Sequence, residues 1–308
     1  MDNFSHPVGT DHSGVMVDRP LPLELRGHPF TIAGGALVGL SKSRMGASGL
    51  IRPTHGARID TRPETVHELA AATAVALPRD IAFSHYTAAQ LHGLPLPPGL
   101  SDRPLHVMRP SYRNLVRRKG FRGHRGLEQR TVADVKGVAA TSMADTWVDL
   151  SALLQLDDLV VLGDAVVRRL DSTDPLIEAL GARYHEGPAV ARQALGFIRV
   201  GADSAMETRA RLVFGRGGLP EPELNGDVAD RHGEWIARAD FVWRLQRVIA
   251  EFQGASHFEG FEAGDSDISR RLLAQDNGWK YIEITKRDIY HDARRAQMLQ
   301  RLHRYLGC

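Results

Sequence analysis

The sequence predicts an α+β chain of more than one domain. Three observations carry that expectation. At 308 residues the chain is long enough for two or three domains. Its middle holds stretches with apolar residues three to four apart, the period of an amphipathic helix, most clearly over 156–170. Its last third holds two proline-free runs rich in Ile, Val, Phe and Trp, 236–243 and 248–253, with only Arg244-Leu-Gln-Arg247 between them. That is the pattern of a β-hairpin.

The elements follow in order. Residues 1–25 lack periodicity and are expected to form a tail. Pro29 to Gly39 reads as a short helix, and Leu40 to Ser43 as a turn and cap. Arg44 to Leu50 reads as a second helix, and Ile51 to Ile59 as a small strand pair around His55-Gly56. Helix, turn, basic helix and wing is the anatomy of a winged helix-turn-helix, here over 26–60. Lys42 and Arg44 then stand where DNA contacts are expected. The plainer reading is a small helical cap. Residues 61–200 read as a mixed α/β domain. It has helices at 63–76, 84–92, 144–154 and 156–170, strands at 105–109 and 120–126, and a short helix within 181–201. The last domain, 201–308, opens with a helix over 204–215 that ends in Gly215-Arg-Gly-Gly218. The hairpin follows, then a helix (267–276), a strand (280–285) and a long helix (288–306). That last helix carries an apolar stripe of Ile289, Ala293, Ala296, Leu299, Leu302 and Leu306.

Composition narrows the classes. Apolar residues make up 43% and charged residues 25%, ordinary for a soluble globular protein. Net charge is +2 and the sequence pI ≈ 8.8, which permits nucleic-acid binding without demanding it. The one cysteine, Cys308, excludes an intrachain disulfide and a cysteine metal site. No signal peptide is read, and no apolar run approaches the roughly 20 residues of a membrane span. A cytoplasmic protein without membrane contact is expected. No phosphate loop or nucleophile elbow is present, and no His/Cys group has zinc spacing. Gly34, Gly35 and Gly39 lack the preceding strand that a dinucleotide site needs.

The hairpin is where chemistry concentrates. If Trp243 pairs with Val248, Asp240 falls opposite Glu251, and Gln253 shares the face of Glu251. The other face shows Ala239, Phe241, Trp243, Val248, Ala250 and Phe252, all apolar. Like charges directly opposite are unfavourable unless something positive lies between them. Two carboxylates and an amide oxygen suit Mg²⁺ or Mn²⁺, and such a cation in a cleft suits phosphodiester hydrolysis. The plainer reading is neutralisation of Asp240 by Arg238 or Arg244. A second feature is basic: Arg113, Arg117, Arg118, Lys119, Arg122 and Arg125 crowd thirteen residues beside Tyr112 and Phe121. Such a run can track a phosphate backbone, or it can be a solvated loop and strand edge.

Asp240 followed by Glu251-x-Gln253 resembles the metal-binding core of the restriction-endonuclease-like, PD-(D/E)XK superfamily. The wider run is similar to Vsr-like nuclease domains. It supplies Glu207-Thr-Arg209, Gly218-Leu-Pro220, Asp240, Glu251-Phe-Gln-Gly254-Ala-Ser-His257, Asp267-Ile-Ser-Arg270 and Gly278-Trp279 in the order of those domains. The resemblance covers the last third of the chain and implies a restriction-endonuclease-like α/β core. The front part, over 26–60 and 61–200, resembles AbiEi-type antitoxin proteins. The nuclease resemblance implies Asp240 and Glu251 as metal ligands, Glu207 as a third carboxylate, and His257 as a residue assisting phosphoryl chemistry. Ser204-x-x-Glu207 also matches a capping box, which gives Glu207 a purely structural use. His257 reads otherwise as a loop histidine. Gln253 departs from the usual lysine; it can orient water but brings no charge.

Two functions are therefore expected. The first is a metal-dependent DNA endonuclease whose front part binds DNA or a partner, with a homodimer allowed. The alternative is an antitoxin-like DNA-binding regulator that keeps the nuclease fold as an inactive module.

Overall fold

Side-chain oxygens set where the first helices begin. Thr31 accepts from Gly34 N at 2.9 Å at the head of α1 (Ile32–Leu37), and Ser41 accepts from Arg44 N at 3.1 Å at the head of α2 (Lys42–Gly46). The structure, a computed structural model, describes residues 21–99, 104–181, 188–253 and 261–308; the side chains of 188 and 261–268 lie outside that description. The architecture is mixed α/β, with three sheets among the described residues. The chain divides into two compact units, one up to Pro78 and one from Arg79 to Cys308.

In the first unit, β1 (Phe30–Thr31) pairs antiparallel with β2 (Ala57–Arg58). The helix expected from Pro29 therefore starts only at Ile32, because Phe30 and Thr31 are taken by the ribbon. The strand pair expected within 51–59 reduces to a single bridge between Ile51 and Ile59. Leu21, Leu25, Phe30 and Leu50 are buried together, so packing begins before residue 25, where the tail was expected to end. Arg58 is buried and donates to Met45 O at 2.7 Å, which ties β2 to α2. Lys42 is exposed on α2, whereas Arg44 is half-buried. Helix α3 (Val66–Ala74) follows, headed by a reciprocal cap between Thr65 and Glu68.

The second unit opens on a five-stranded sheet. Its strands are β3 (Ala82–Phe83), β4 (Leu105–Arg109), β5 (Phe121–Arg125), β6 (Val132–Val135) and β7 (Val138–Thr141), in the order β5-β4-β3-β7-β6. β4–β5 and β3–β7 are parallel; β3–β4 and β6–β7 are antiparallel. The helices are α4 (His85–Leu91), α5 (Met143–Leu150), α6 (Leu156–Leu170), α7 (Asp174–Gly181) and α8 (Pro188–Phe197). They enclose one apolar core around Trp147, Leu150, Leu159, Leu162 and Leu176. Trp147 is fully buried and satisfies its indole N–H on Leu159 O at 2.9 Å.

The rest of the unit carries α9 (Ala205–Arg216), β8 (Glu223–Ala229), β9 (Trp235–Trp243), β10 (Val248–Gln253), α10 (Phe261–Asp276), β11 (Lys280–Thr285), α11 (Lys286–Tyr290) and α12 (Asp292–Leu306). The sheet order is β11-β10-β9-β8, with β10–β11 parallel and the other pairs antiparallel. Phe241, Trp243, Val248 and Ala250 pack with Phe214 of α9 and Leu302 and Leu306 of α12. Ala239, expected in that layer, clusters instead with Val228, Ile236 and Ala237. The opposite face is covered as well: Val242, Ile249 and Tyr281 pack with Ala274 of α10.

Several elements differ from expectation: β3, β6, β7 and α7 were not expected, and α10 starts at Phe261, ahead of the expected 267. β8 reads Glu-Leu-Asn-Gly-Asp-Val-Ala, poor in strand formers, and Asn225 has a φ of 48°. Pairing with β9 makes it a strand despite its composition. The long last helix breaks at His291, whose φ of −99° and ψ of 117° are extended. The break resets the phase of the stripe, so Met298, Leu302 and Leu306 are buried while Ala293 and Ala296 are exposed.

Helix α9 is bound to α6 by charge. Arg211 donates to Asp164 at 2.7 Å, Arg216 donates to Asp157 at 2.7 Å, and Arg209 pairs with Asp158. Asp164 and Arg211 are 2% and 5% exposed, so this pair is fully desolvated. Burial pushes the Asp164 carboxyl up from the usual carboxylate range, against the pull of Arg211. Thr208 and the Arg199 amide donate to the same carboxylate, each at 2.8 Å.

Removing one partner of this pair leaves the other charge buried. Asp164→Ala is expected to cost about 3–5 kcal/mol in urea unfolding, and Asp164→Leu with Arg211→Met to restore most of it. A Cβ on Gly163 would lie 2.2 Å from Ile198 Cδ1 and 3.0 Å from Trp147 Nε1. Gly163→Ala should therefore lower stability by about 1–3 kcal/mol in the same measurement, despite the better helix propensity of alanine.

Candidate functional site

The hairpin forms with the expected register: Trp243 pairs with Val248 and Phe241 with Ala250. There the β9–β10 ladder stops. Asp240 does not pair across from Glu251 as expected. Its Oδ2 accepts from Phe252 N at 2.7 Å, and β10 continues beside β11, where Glu251 is opposed by Glu283. Parting of the strands at this point gives the carboxylates room that a regular ladder would deny them. Asp240, Glu251 and Gln253 are each half-buried. They line one pocket of ≈ 160 Å³ between the sheet and α10, together with Arg270, Arg271 and Tyr281.

Neighbouring groups hold these side chains. The Tyr281 hydroxyl donates to Glu251, and the Arg271 guanidinium lies 5.1 Å from the Tyr281 ring and pairs with Glu283. Burial, then the hydrogen bond to Glu251 and its charge, pushes the Tyr281 hydroxyl well above its ordinary range. Tyr281 thus stays a donor at any working pH. Arg238 also lines the pocket; it donates to Asn225 O at 3.0 Å and lies 3.5 Å from Asp203. Arg244 is engaged by Glu223 and by Asp227 O.

Glu207 takes its structural use. It is 7% exposed, and its carboxylate accepts from Asp203 N at 2.8 Å and from Asn225 Nδ2 at 3.2 Å. Ser204 Oγ accepts from Glu207 N at 3.1 Å, which completes the helix start. Glu207 is not one of the residues lining the pocket. The whole Glu207-Thr-Arg209 run serves assembly, since Thr208 holds Asp164 and Arg209 holds Asp158. His257 falls in 254–260, outside the described residues, and so does the side chain of Asp267.

The basic run lies on β5 and the loop before it. Arg117, Lys119, Arg122 and Arg125 are exposed, and Arg118 is half-buried. Arg113 lies 3.2 Å from Asp80 and over the Tyr112 ring at 5.5 Å. Gly123 lets the loop fold back onto the strand: a Cβ there would stand 2.5 Å from Val116 O.

One cluster escaped the reading of spacings. His85, His106 and His124 each offer a ring nitrogen, and the three nitrogens lie within 4.8 Å of one another. They come from the head of α4, from β4 and from β5. Their spacing in sequence matches no zinc motif; the fold brings them together. Burial, with Arg122 and Arg130 nearby, pushes the His124 ring down to about 4.

Comparison with known proteins places the chain in a family. It is 30% identical over 260 residues to the Mycobacterium tuberculosis proteins named "Uncharacterized protein MT2308" (strain CDC 1551 / Oshkosh) and "Uncharacterized protein Rv2248" (strain ATCC 25618 / H37Rv). The match spans 84% of this chain and 93% of each relative. The chain belongs to the family of these mycobacterial proteins. No family model and no solved structure matches it. Among the described residues no helix is long and apolar enough to cross a membrane.

Tyr281→Phe removes the hydroxyl that fixes Glu251 and little else. Stability should fall by about 1–3 kcal/mol, read as a lower urea midpoint at unchanged slope.

Proposed function

We propose that the chain is a metal-dependent DNA endonuclease. In this reading the region from residue 201 is a Vsr-like, restriction-endonuclease-like domain, residues 26–60 are a winged helix-turn-helix module and residues 61–200 an AbiEi-like domain. The observation that carries the reading is the shared pocket of Asp240, Glu251 and Gln253 with Arg270 on its rim. Two carboxylates and an amide oxygen are a hard-oxygen donor set of the kind Mg²⁺ or Mn²⁺ takes. Bound there, the cation would supply Lewis-acid polarisation of a phosphodiester. Phe252 N and the Tyr281 hydroxyl would keep the two carboxylates turned toward it. Gln253 would orient the attacking water, and Arg270 would bind a phosphate oxygen. His257 would protonate the leaving oxygen. Glu207 would act at one remove, by holding the start of α9 and Asn225. The exposed Arg117, Lys119, Arg122 and Arg125, with Arg113, Arg118, Lys42 and Arg44, would meet the DNA backbone.

Gln253 in place of lysine favours a second reading: a DNA-binding regulator with an inactive nuclease-fold module. The two readings differ in one assay. Plasmid and single-stranded DNA are incubated with Mg²⁺ or Mn²⁺ and with wild type, Asp240→Ala or Glu251→Ala. An endonuclease cuts only with metal, and each variant falls by about 100-fold or more while DNA binding persists. No cutting by the wild type, with equal salt-sensitive binding by all three proteins, selects the regulator.

A further inference from the structure

The middle of the second unit holds a group of side chains that the nuclease reading does not use. His106 lies in β4, a strand paired on both sides, and is 2% exposed. In the parallel β4–β5 ladder His106 is paired with Arg122, and Met108 with His124. Side chains alternate along a strand, so His106 and His124 fall on the same face, diagonal to each other. Their rings close that diagonal: His124 Nε2 stands 3.0 Å from His106 Nδ1. The third ring comes from His85, which follows β3 and is the first residue of α4. His85 stacks on His124 with ring centroids 3.7 Å apart and planes 19° from parallel.

His85 occupies a conformation that L-residues avoid. Its φ is 52°, in the left-handed region, at a helix start where an extended or right-handed residue is ordinary. Such strain costs on the order of 1 kcal/mol and persists where the surroundings fix the residue for a use. Here the surroundings do fix it. Ser84, fully buried, sets its Oγ 3.0 Å from His85 Nδ1, and Ser84 N donates to His106 O at 3.0 Å. Thr87 Oγ1 accepts from His106 N at 2.8 Å, so α4 and β4 are locked where the rings meet.

We propose that His85, His106 and His124 form a binding site for a single imidazole-preferring divalent cation, Zn²⁺ in the first instance. Two imidazole nitrogens on one tetrahedral zinc, with bonds of about 2.0–2.1 Å, stand roughly 3.3 Å apart. The observed 3.0 Å between His106 and His124 is within a few tenths of that separation. The third nitrogen, at most 4.8 Å from the others, closes the set when the His85 ring turns out of its stack on His124, so that its in-plane lone pair meets the other two. Ser84 beside His85 is the kind of neighbour that fixes the tautomer and orientation of a ligating ring. Arg130 is nearby, but it is already paired with Asp149 at 2.8 Å. Three protein ligands leave one position for water or a ligand oxygen. The donor set also separates this site from the hairpin pocket. Imidazole nitrogen selects zinc and its neighbours in the transition series, whereas carboxylate and amide oxygen select magnesium and manganese.

The test uses the full chain, free of any added histidine tag and stripped with EDTA. Co²⁺ is titrated at neutral pH and the visible d–d bands are followed; Zn²⁺ is then added in competition. One Co²⁺ is expected per chain, with the intense bands of four- or five-coordination, displaced by Zn²⁺. His124→Gln and His85→Asn, each with near-ultraviolet circular dichroism like the wild type, are expected to weaken Zn²⁺ by about 100-fold or more. Asp240→Ala is expected to bind Zn²⁺ as the wild type does, so the result stands apart from any nuclease activity. The wild-type Co²⁺ form should also show three paramagnetically shifted, exchangeable imidazole N–H resonances, a reading that needs no variant. Absence of the d–d bands, fewer than three shifted resonances, or folded variants that bind like the wild type would each overturn the proposal.

Discussion

The second unit turns on one buried carboxylate. Asp164 accepts from Arg211, Thr208 and the Arg199 amide, and so joins α6 to α9 and to the segment between α8 and α9. At 2% side-chain exposure it has lost its water, and the three donors are what make an ion tolerable there. Arg209 and Arg216 extend the contact to Asp158 and Asp157 at the first turn of α6. Helix α9 is therefore an arginine-bearing face matched to an aspartate-bearing one, and its other side supplies Phe214 to the sheet core. The position of the β9–β10 hairpin relative to the middle helices follows from this helix.

The same contact explains why Glu207 stands apart from the pocket. Its neighbours Thr208 and Arg209 are drawn toward α6, and its own carboxylate closes the helix start through Asp203 N. A charged residue that satisfies backbone donors needs no cation to be stable. Asp240 and Glu251 lie where the β9–β10 ladder ends, and both line a pocket. Phe252 N donates to Asp240 and the Tyr281 hydroxyl donates to Glu251, which helps to orient both.

Much of this region was legible in the sequence because its signals are local. Alternation fixed the apolar layer of Phe241, Trp243, Val248 and Ala250, and a four-residue turn fixed the Trp243–Val248 pairing. The bounds of β4, α6 and β11 match the periodic runs that predicted them. Other features failed that reading, β3, β6, β7 and α7 among them. β8 is a strand through its partner and not through its composition. The last helix breaks at His291 although its residues suit a continuous helix. The ribbon of the first unit joins residues 30–31 to 57–58 instead of closing within 51–59.

By itself, then, the chain determined which residues alternate, which repeat with helical period and which oxygens cap helices, since each depends on neighbours a few positions apart. Those rules were enough to bring Asp240, Glu251 and Gln253 to one side of one hairpin. Only the tertiary structure decided that the ladder parts between Asp240 and Glu251, where the Asp240 carboxylate accepts from the Phe252 amide. It alone decided that Glu207 serves α9. It alone brought His85, His106 and His124 together, since their spacing in sequence has no period. Their meeting follows from the parallel register of β4 and β5 and from the left-handed turn that starts α4.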